Sequence, residues 1–352
     1  MHIFFACHIR LERYVERGLL LFMNDKSISV LEQYGLEAGR FRRGRGGIIV
    51  STSQGLKLLY ECNRNDSFYE RENRVTRQLE AGGFQYLDTY CANLEGGLFA
   101  TDTQGRKYIL KNWMEARECD LGNLKDITEA VQTLARLHQA LLTSGIQDDE
   151  NIHYHNTTDL RMQFDKHTKE IKLVRNYFRN KKNRNEFELL ARKVIQNFYE
   201  EAERAEEMLE EISYGERLET ARARTELCHG SYNYHNILFC DRGSAVTNFD
   251  RCRVDCQIND LYQFMRKILE KNNWEMELAY KMLEEYDKIT PIAEIDMEIL
   301  AVSFAYPEKF WKIINFYYGS NKSWIPRKSI EKLELVIAQN PARQNFVETL
   351  HS

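Results

Sequence analysis

Residues 228–250 constrain this chain more than any other stretch: Cys-His-Gly-Ser-Tyr-Asn-Tyr-His-Asn-Ile-Leu-Phe-Cys-Asp-Arg-Gly-Ser-Ala-Val-Thr-Asn-Phe-Asp. His229-Gly230 is a backbone device, since Gly permits a bend and His can hydrogen-bond across the loop. Asn236 follows Ser231 by five residues, a spacing that on a tight loop puts both side chains on one side. Apolar runs at 237–240 and 245–249, joined by Asp241-Arg242-Gly243, read as a pair of strands.

The rest of the chain supplies a small sheet first and helices afterwards. Residues 24–34 read as a short helix with Asn24 or Asp25 as cap and Gly35 as stop. Gly44-Arg45-Gly46-Gly47 precedes Ile48-Ile49-Val50, and Leu56–Tyr60 reads as the returning strand after Gly55. A helix is predicted over 67–81, capped by Asp66 or Ser67, then a strand over Phe84–Tyr90. Asp102-Thr103-Gln104-Gly105 is a hairpin signal between 98–101 and 106–111. After Trp113 the character changes. Asp126 is read as the cap of a helix whose apolar positions Ala130, Val131, Leu134, Leu137, His138 and Leu141 follow the helical period. Long charged helices are predicted at 159–182 and 186–212, and beyond Asp260 the pattern is helical to the end.

The fold class is therefore α+β: a small antiparallel-sheet lobe over 23–113 and a larger, mainly helical lobe over 114–352 that carries the loop at 228–250. Residues 1–22 stand apart. Ile3–Cys7 is apolar but too short for a signal sequence, and Met23 opens a smoother reading. The stretch 1–22 is read as a non-native extension, with a short amphipathic helix as the other reading.

Charge bounds the partners. With 49 basic and 53 acidic residues the net charge is −4, which argues against bulk nucleic-acid binding. Arg40, Arg42, Arg43 and Arg45 around Phe41 are a local basic run in an acidic chain. No apolar run approaches the ~18 residues of a membrane span. The eight cysteines form no Cys-x-x-Cys pair, so a zinc site is not expected, and Cys252 and Cys256 read as free buried thiols. Scattered cysteines suit a reducing compartment.

The chemistry lies in the 228–250 stretch. Phosphoryl transfer by a loop of this design uses an Asp to accept the substrate hydroxyl proton. An Asn five residues on and an Asp beyond the next strand hold magnesium. Here Ser231 stands at the proton-accepting position, and a hydroxyl has no basicity near neutral pH. Asn248 stands at the second metal position and removes a full negative charge where hard cations prefer carboxylate. Asp250, two residues on, points the same way if the strand continues, and is either a substitute ligand or the ion-pair partner of Arg251 or Arg253. Gly44–Gly47 sits where a phosphate-covering loop would sit, or is an ordinary hairpin. The strand at 56–60 should carry a lysine for nucleotide phosphates, partnered by Glu70 or Glu72. Tyr60 occupies the expected depth, and Lys57 has the other strand parity, which sends it to solvent.

The chain resembles the CotS-like spore coat proteins of endospore-forming Firmicutes, relatives of aminoglycoside and choline phosphotransferases, from Met23 to about Phe346. The residues that carry this include Gly-Leu-Lys-Leu-Leu at 55–59, Asn-Trp-Met-Glu-Ala-Arg-Glu-Cys-Asp at 112–120 and Leu-Ala-Arg-Leu-His at 134–138. Most specific are Asn259–Trp274 and Tyr-Pro-Glu-Lys-Phe-Trp-Lys at 306–312. The resemblance implies a two-lobed protein-kinase-like fold, a catalytic Asp where Ser231 stands, a nucleotide-contacting Lys where Tyr60 stands and a metal-facing Asn at Asn236. It implies an inter-lobe hinge at Trp113–Glu115, so that Trp113 and Glu115 border the nucleotide, and a structural role for Asp260 as helix cap and loop brace. Further implied are ATP and magnesium as the cofactors if any bind, and other spore coat proteins as partners. The implied location is the mother-cell cytoplasm and then the spore coat. With base, lysine and one metal ligand replaced, the expectation is a pseudokinase rather than an enzyme. The alternative is a working phosphotransferase in which Asp250 and Lys57 stand in.

Overall fold

A computed structural model describes residues 29–44, 46–143, 145, 159–241, 243–319 and 327–351. The expectations for 1–22, for a cap at Asn24 or Asp25, and for Arg45 and Arg242 lie outside the described residues. The chain divides into two compact units, one ending at Glu118 and completed by Leu238–Asp250, the other built from Cys119–Ile237 and Arg251 onward.

The first unit is organised by a five-stranded antiparallel sheet, in order β1-β2-β3-β5-β4. Its strands are β1 (Phe41–Arg43), β2 (Ile48–Thr52), β3 (Gly55–Glu61), β4 (Phe99–Thr101) and β5 (Lys107–Asn112). The hairpin signal between β4 and β5 is realised by the Asp102 carboxylate, which accepts from the Gln104 and Arg106 amides at 2.8 and 2.9 Å. One face of the sheet buries Val50, Leu59 and Leu110 against Val30, Leu31 and Tyr34 from the helical residues 29–32 and the turn after them. The other face carries Ile109, packed with Tyr69 and Tyr90. Tyr69 belongs to α1 (Asp66–Ala81), whose cap is Asn65, one residue before the expected position.

Two expected strands come out shorter or absent. Residues 84–90 make only isolated bridges, Leu87 to Val246 and Tyr90 to Lys111. Tyr86 has φ 62°, which an extended strand cannot accommodate. A three-stranded sheet, β6-β8-β9, joins β6 (Arg117–Glu118), β8 (Ile237–Cys240) and β9 (Gly243–Val246). The last strand stops at Val246 instead of continuing to 249, because Asn248 adopts φ 68° and its amide turns to a carboxylate.

The second unit is helical. Its elements are α2 (Leu124–Thr143), α3 (Leu160–Asn180), α4 (Glu186–Glu211), α5 (Tyr214–Ala223), α6 (Ile258–Lys271), α7 (Met276–Asp287), α8 (Glu294–Ala305), α9 (Glu308–Gly319) and α10 (Arg327–His351), with the short pair β7 (Leu227–Cys228) and β10 (Arg253–Val254). The periodic positions of α2 are all buried, as the spacing predicts. Its cap, however, is Asn123, whose side chain accepts from the Lys125 and Asp126 amides, while Asp126 lies inside the first turn and accepts from the Asp120 amide. The charged helices α3 and α4 form an antiparallel pair with buried stripes such as Phe164, Ile171 and Phe178 facing Phe187, Ile195 and Phe198. A capping box at Asn185 and Glu188 starts α4.

Helix α2 also fixes the loop after β7, because the buried Tyr232 hydroxyl donates to the Ala130 carbonyl at 2.6 Å. Tyr232→Phe is expected to lower stability by about 1 kcal/mol, the net worth of one such bond. Urea denaturation of the two proteins side by side checks this.

Candidate functional site

The loop at 228–236 is built on main-chain amides. β7 pairs with β10, Cys228 opposite Arg253, and delivers His229 into a fully buried position. Gly230 has φ 73°, and a Cβ there would lie 2.1 Å from the Arg251 carbonyl oxygen, so no other residue fits. The Asp260 carboxylate accepts from the His229 amide at 2.6 Å and the Gly230 amide at 2.9 Å. Asp260 lies within α6 rather than capping it, and no side-chain cap bond is made at Gln257. Its bracing of the loop is direct. Burial would raise the Asp260 carboxyl, but the hydrogen bond and charge of His138, with His229 and Arg253, hold it below the usual carboxylate value. His138 is itself set by the Tyr286 hydroxyl, 2.6 Å from Nδ1.

Ser231 and Asn236, five residues apart, meet as the spacing predicts. Asn236 Nδ2 donates to the Ser231 carbonyl at 2.9 Å and to Ser231 Oγ at 3.3 Å. The Ser231 amide donates to His229 Nδ1 at 3.2 Å. The loop is thus fully shaped around residue 231, and the group presented there is a hydroxyl.

In the first unit, Gly46, Tyr60, Glu72, Lys111, Asn248 and Asp250 line a cavity of about 270 Å³. Five of these, Gly46, Tyr60, Glu72, Asn248 and Asp250, are positions singled out from sequence. The strand-parity reason for grouping Asn248 with Asp250 does not hold, since the strand has ended, yet both reach the cavity. Gly46 comes close because it has no side chain: a Cβ there would lie 2.9 Å from the Tyr60 ring.

Lys111 was not foreseen. Its Nζ lies 2.6 Å from Glu72 Oε1 and 3.0 Å from Asp88 Oδ2, and 4.6 Å from the centre of the Tyr90 ring. All three charged groups are buried. The sequence choice between Glu70 and Glu72 resolves to Glu72, as Glu70 is exposed. Burial alone would lower the Lys111 ammonium, but Asp88 and Glu72 hold it well above its ordinary value. For Asp88 burial prevails over Lys111 and, with Glu72, pushes the carboxyl up to about 6. The signal that could have found Lys111 is a charge closing the apolar run Tyr108-Ile109-Leu110 of a strand otherwise built for burial.

Lys57 does not join this group, and it does not reach solvent either. It is 6% exposed and donates to Asn112 Oδ1 at 2.6 Å, on the opposite face of β3 from Tyr60. Trp113 continues the pairing of β5 with β3, its amide donating to the Leu56 carbonyl, and Glu115 forms an exposed ion pair with Arg42 at 3.1 Å; neither lines the cavity. Cys252 and Cys256 are both buried, as expected.

Of the residues read as magnesium ligands, Asn248 and Asp250 lie in the first unit and Asn236 in the second. The proposed ligands Asn236, Asn248 and Asp250 offer one carboxylate, and among the described residues no group of three or more His, Cys, Asp or Glu is placed to hold a metal.

Residues 28–350 match the family described as "Spore coat putative kinase YutH". The chain belongs to this family. It is also 26% identical over 98 residues to spore coat protein S of Bacillus subtilis strain 168, a match spanning 27% of this chain and 28% of that relative, so little more than a quarter of the relative is covered. Among solved structures it is similar to an aminoglycoside phosphotransferase from Alicyclobacillus acidocaldarius, with TM-score 0.79 and 17% identity over 92% of this chain and 94% of the other. The AMP-bound spectinomycin phosphotransferase gives TM-score 0.62 and 14% identity over 90% and 98%. At such identities the likeness is one of fold. The YutH-family chain has a protein-kinase-like fold, with the antiparallel sheet and helical remainder read from its sequence. Among the described residues no helix is long and apolar enough to cross a membrane.

Two outcomes check this geometry. Gly230→Ala is expected to destabilise by at least the ~1–3 kcal/mol of a strained backbone, read from the urea midpoint. The Asp88 carboxyl is expected to titrate near pH 6 by ¹³C NMR, against ~3.9 for a free Asp. A carboxyl raised in the fold favours its neutral form, so its contribution is complete below the unfolded value and is lost as pH rises through about 6. The stability of Asp88→Asn relative to the parent should therefore climb between those two values and level off above.

Proposed function

We propose that this chain is a catalytically impaired kinase-like scaffold of the spore coat, working through other coat proteins. It would be made in the mother-cell cytoplasm and carried into the coat. The single observation that carries this reading is Ser231, hydrogen-bonded by Asn236: the resemblance implies a catalytic Asp at this position, and the side chain here is a hydroxyl. Loss of general-base catalysis removes a factor of about 10²–10⁴. Asn248 in place of a metal-binding Asp removes a further charge, and each lost electrostatic contact of this kind is worth on the order of 3 kcal/mol, without simple additivity.

A second reading is an active phosphotransferase on a small molecule, glycan or coat protein. What favours it is the same Lys111–Glu72 pair, which supplies an ammonium at the cavity where Tyr60 does not. In that case ATP and magnesium would be the cofactors, with Asp250 as the carboxylate ligand. Lys57 is excluded from the role by its position on the opposite sheet face.

Incubation with radiolabelled ATP, magnesium and candidate coat proteins is expected to leave label incorporation at background. Incorporation that disappears in the Asp250→Ala variant would overturn the scaffold reading in favour of the enzyme.

A further inference from the structure

The buried ammonium of Lys111 lies on β5, the strand next to β3, on the sheet face that Tyr60 shares. Register pairs Leu58 with Lys111 and Tyr60 with Ile109. Directly paired residues of antiparallel strands share a face, as do residues two apart on one strand. Tyr60 and Lys111 are therefore diagonal neighbours on one side of the sheet, within reach of the same partner. That partner is Glu72, and Tyr60 and Lys111 line one cavity with it.

The two carboxylates that hold Lys111 have a second duty. Glu72 Oε1 also accepts from the Phe249 amide at 3.0 Å, and its Oε2 accepts from the Tyr90 hydroxyl at 2.6 Å. The Asp88 oxygens accept from the Asn248 amide at 3.1 and 3.2 Å. The left-handed backbone at Asn248, φ 68°, is thus pinned by two carboxylates that would repel each other but for the cation between them.

We propose that Lys111 on β5 has taken over the Glu72-pairing role that the family pattern gives to the Tyr60 position. Its work here is that of a positioning residue: it joins Glu72 and Asp88 into a latch on the Asn248 and Phe249 amides and so fixes where Asp250 stands at the cavity. The latch holds whether or not the chain transfers phosphate, so it does not depend on the scaffold reading.

The test is amide hydrogen exchange by NMR on the full chain, with Lys111→Met, Tyr60→Lys and the double variant. In Lys111→Met the Asn248 and Phe249 amides are expected to exchange about tenfold faster or more, while amides in α3 and α4 keep their rates. In the double variant Tyr60→Lys supplies an ammonium from β3, and protection of both amides should recover. Lys111→Met leaves two buried carboxylates facing each other and can fail to fold; the double variant then decides by itself, folding with both amides protected. Unchanged exchange in Lys111→Met, or a double variant no better than Lys111→Met in folding or protection, overturns the proposal.

Discussion

The first unit depends on one buried electrostatic knot, Lys111 between Glu72 and Asp88. It ties together the last long strand of the sheet, the helix α1, the irregular segment after it and the backbone at 248–249. Three charges out of water are costly, and such a knot is sustained only when the remaining hydrogen-bonding capacity is used. Here it is: the carboxylates also take two backbone amides and a tyrosine hydroxyl. The excess negative charge has its consequence in Asp88, whose raised carboxyl marks the strained member of the set. Removing one partner from such a group is far more damaging than replacing the whole by apolar residues.

The second unit follows a different logic. Asp260 grips the loop through the His229 and Gly230 amides, and Tyr232 fastens it to α2. None of these bonds involves the side chain at position 231. The Ser231 hydroxyl itself accepts from Asn236 Nδ2 at 3.3 Å. In this chain the bonds that shape the loop are made by Asp260 and Tyr232, apart from the side chain at position 231.

The YutH-family assignment and the phosphotransferase-like fold agree with the two-part organisation, and the long helices α3 and α4 are consistent with it as a packed pair rather than solvated rods. Their charged faces are the outward sides of helices whose inner stripes are aromatic and aliphatic. Buried Arg343, joined to Glu201 and to the Phe304 and Ala305 carbonyls, secures the last helix to this body.

Sequence by itself determined the class of fold, the buried face of α2, the hairpin at 102–105 and the contents of the 228–236 loop. These depend on local periodicity, turn chemistry and spacings of a few residues, which the chain carries in one dimension. It also flagged Tyr60, Glu72, Asn248 and Asp250, though for Asn248 and Asp250 the strand-parity reason was wrong. Only the tertiary structure decided which lysine matters. Lys57 and Lys111 look alike as strand residues, and what separates them is the face each presents once β3 and β5 are in register. Likewise Asp88 is an unremarked acid until folding places it beside Lys111 and the Asn248 amide. Charge pairing across strands is set by register, and register is a property of the assembled sheet.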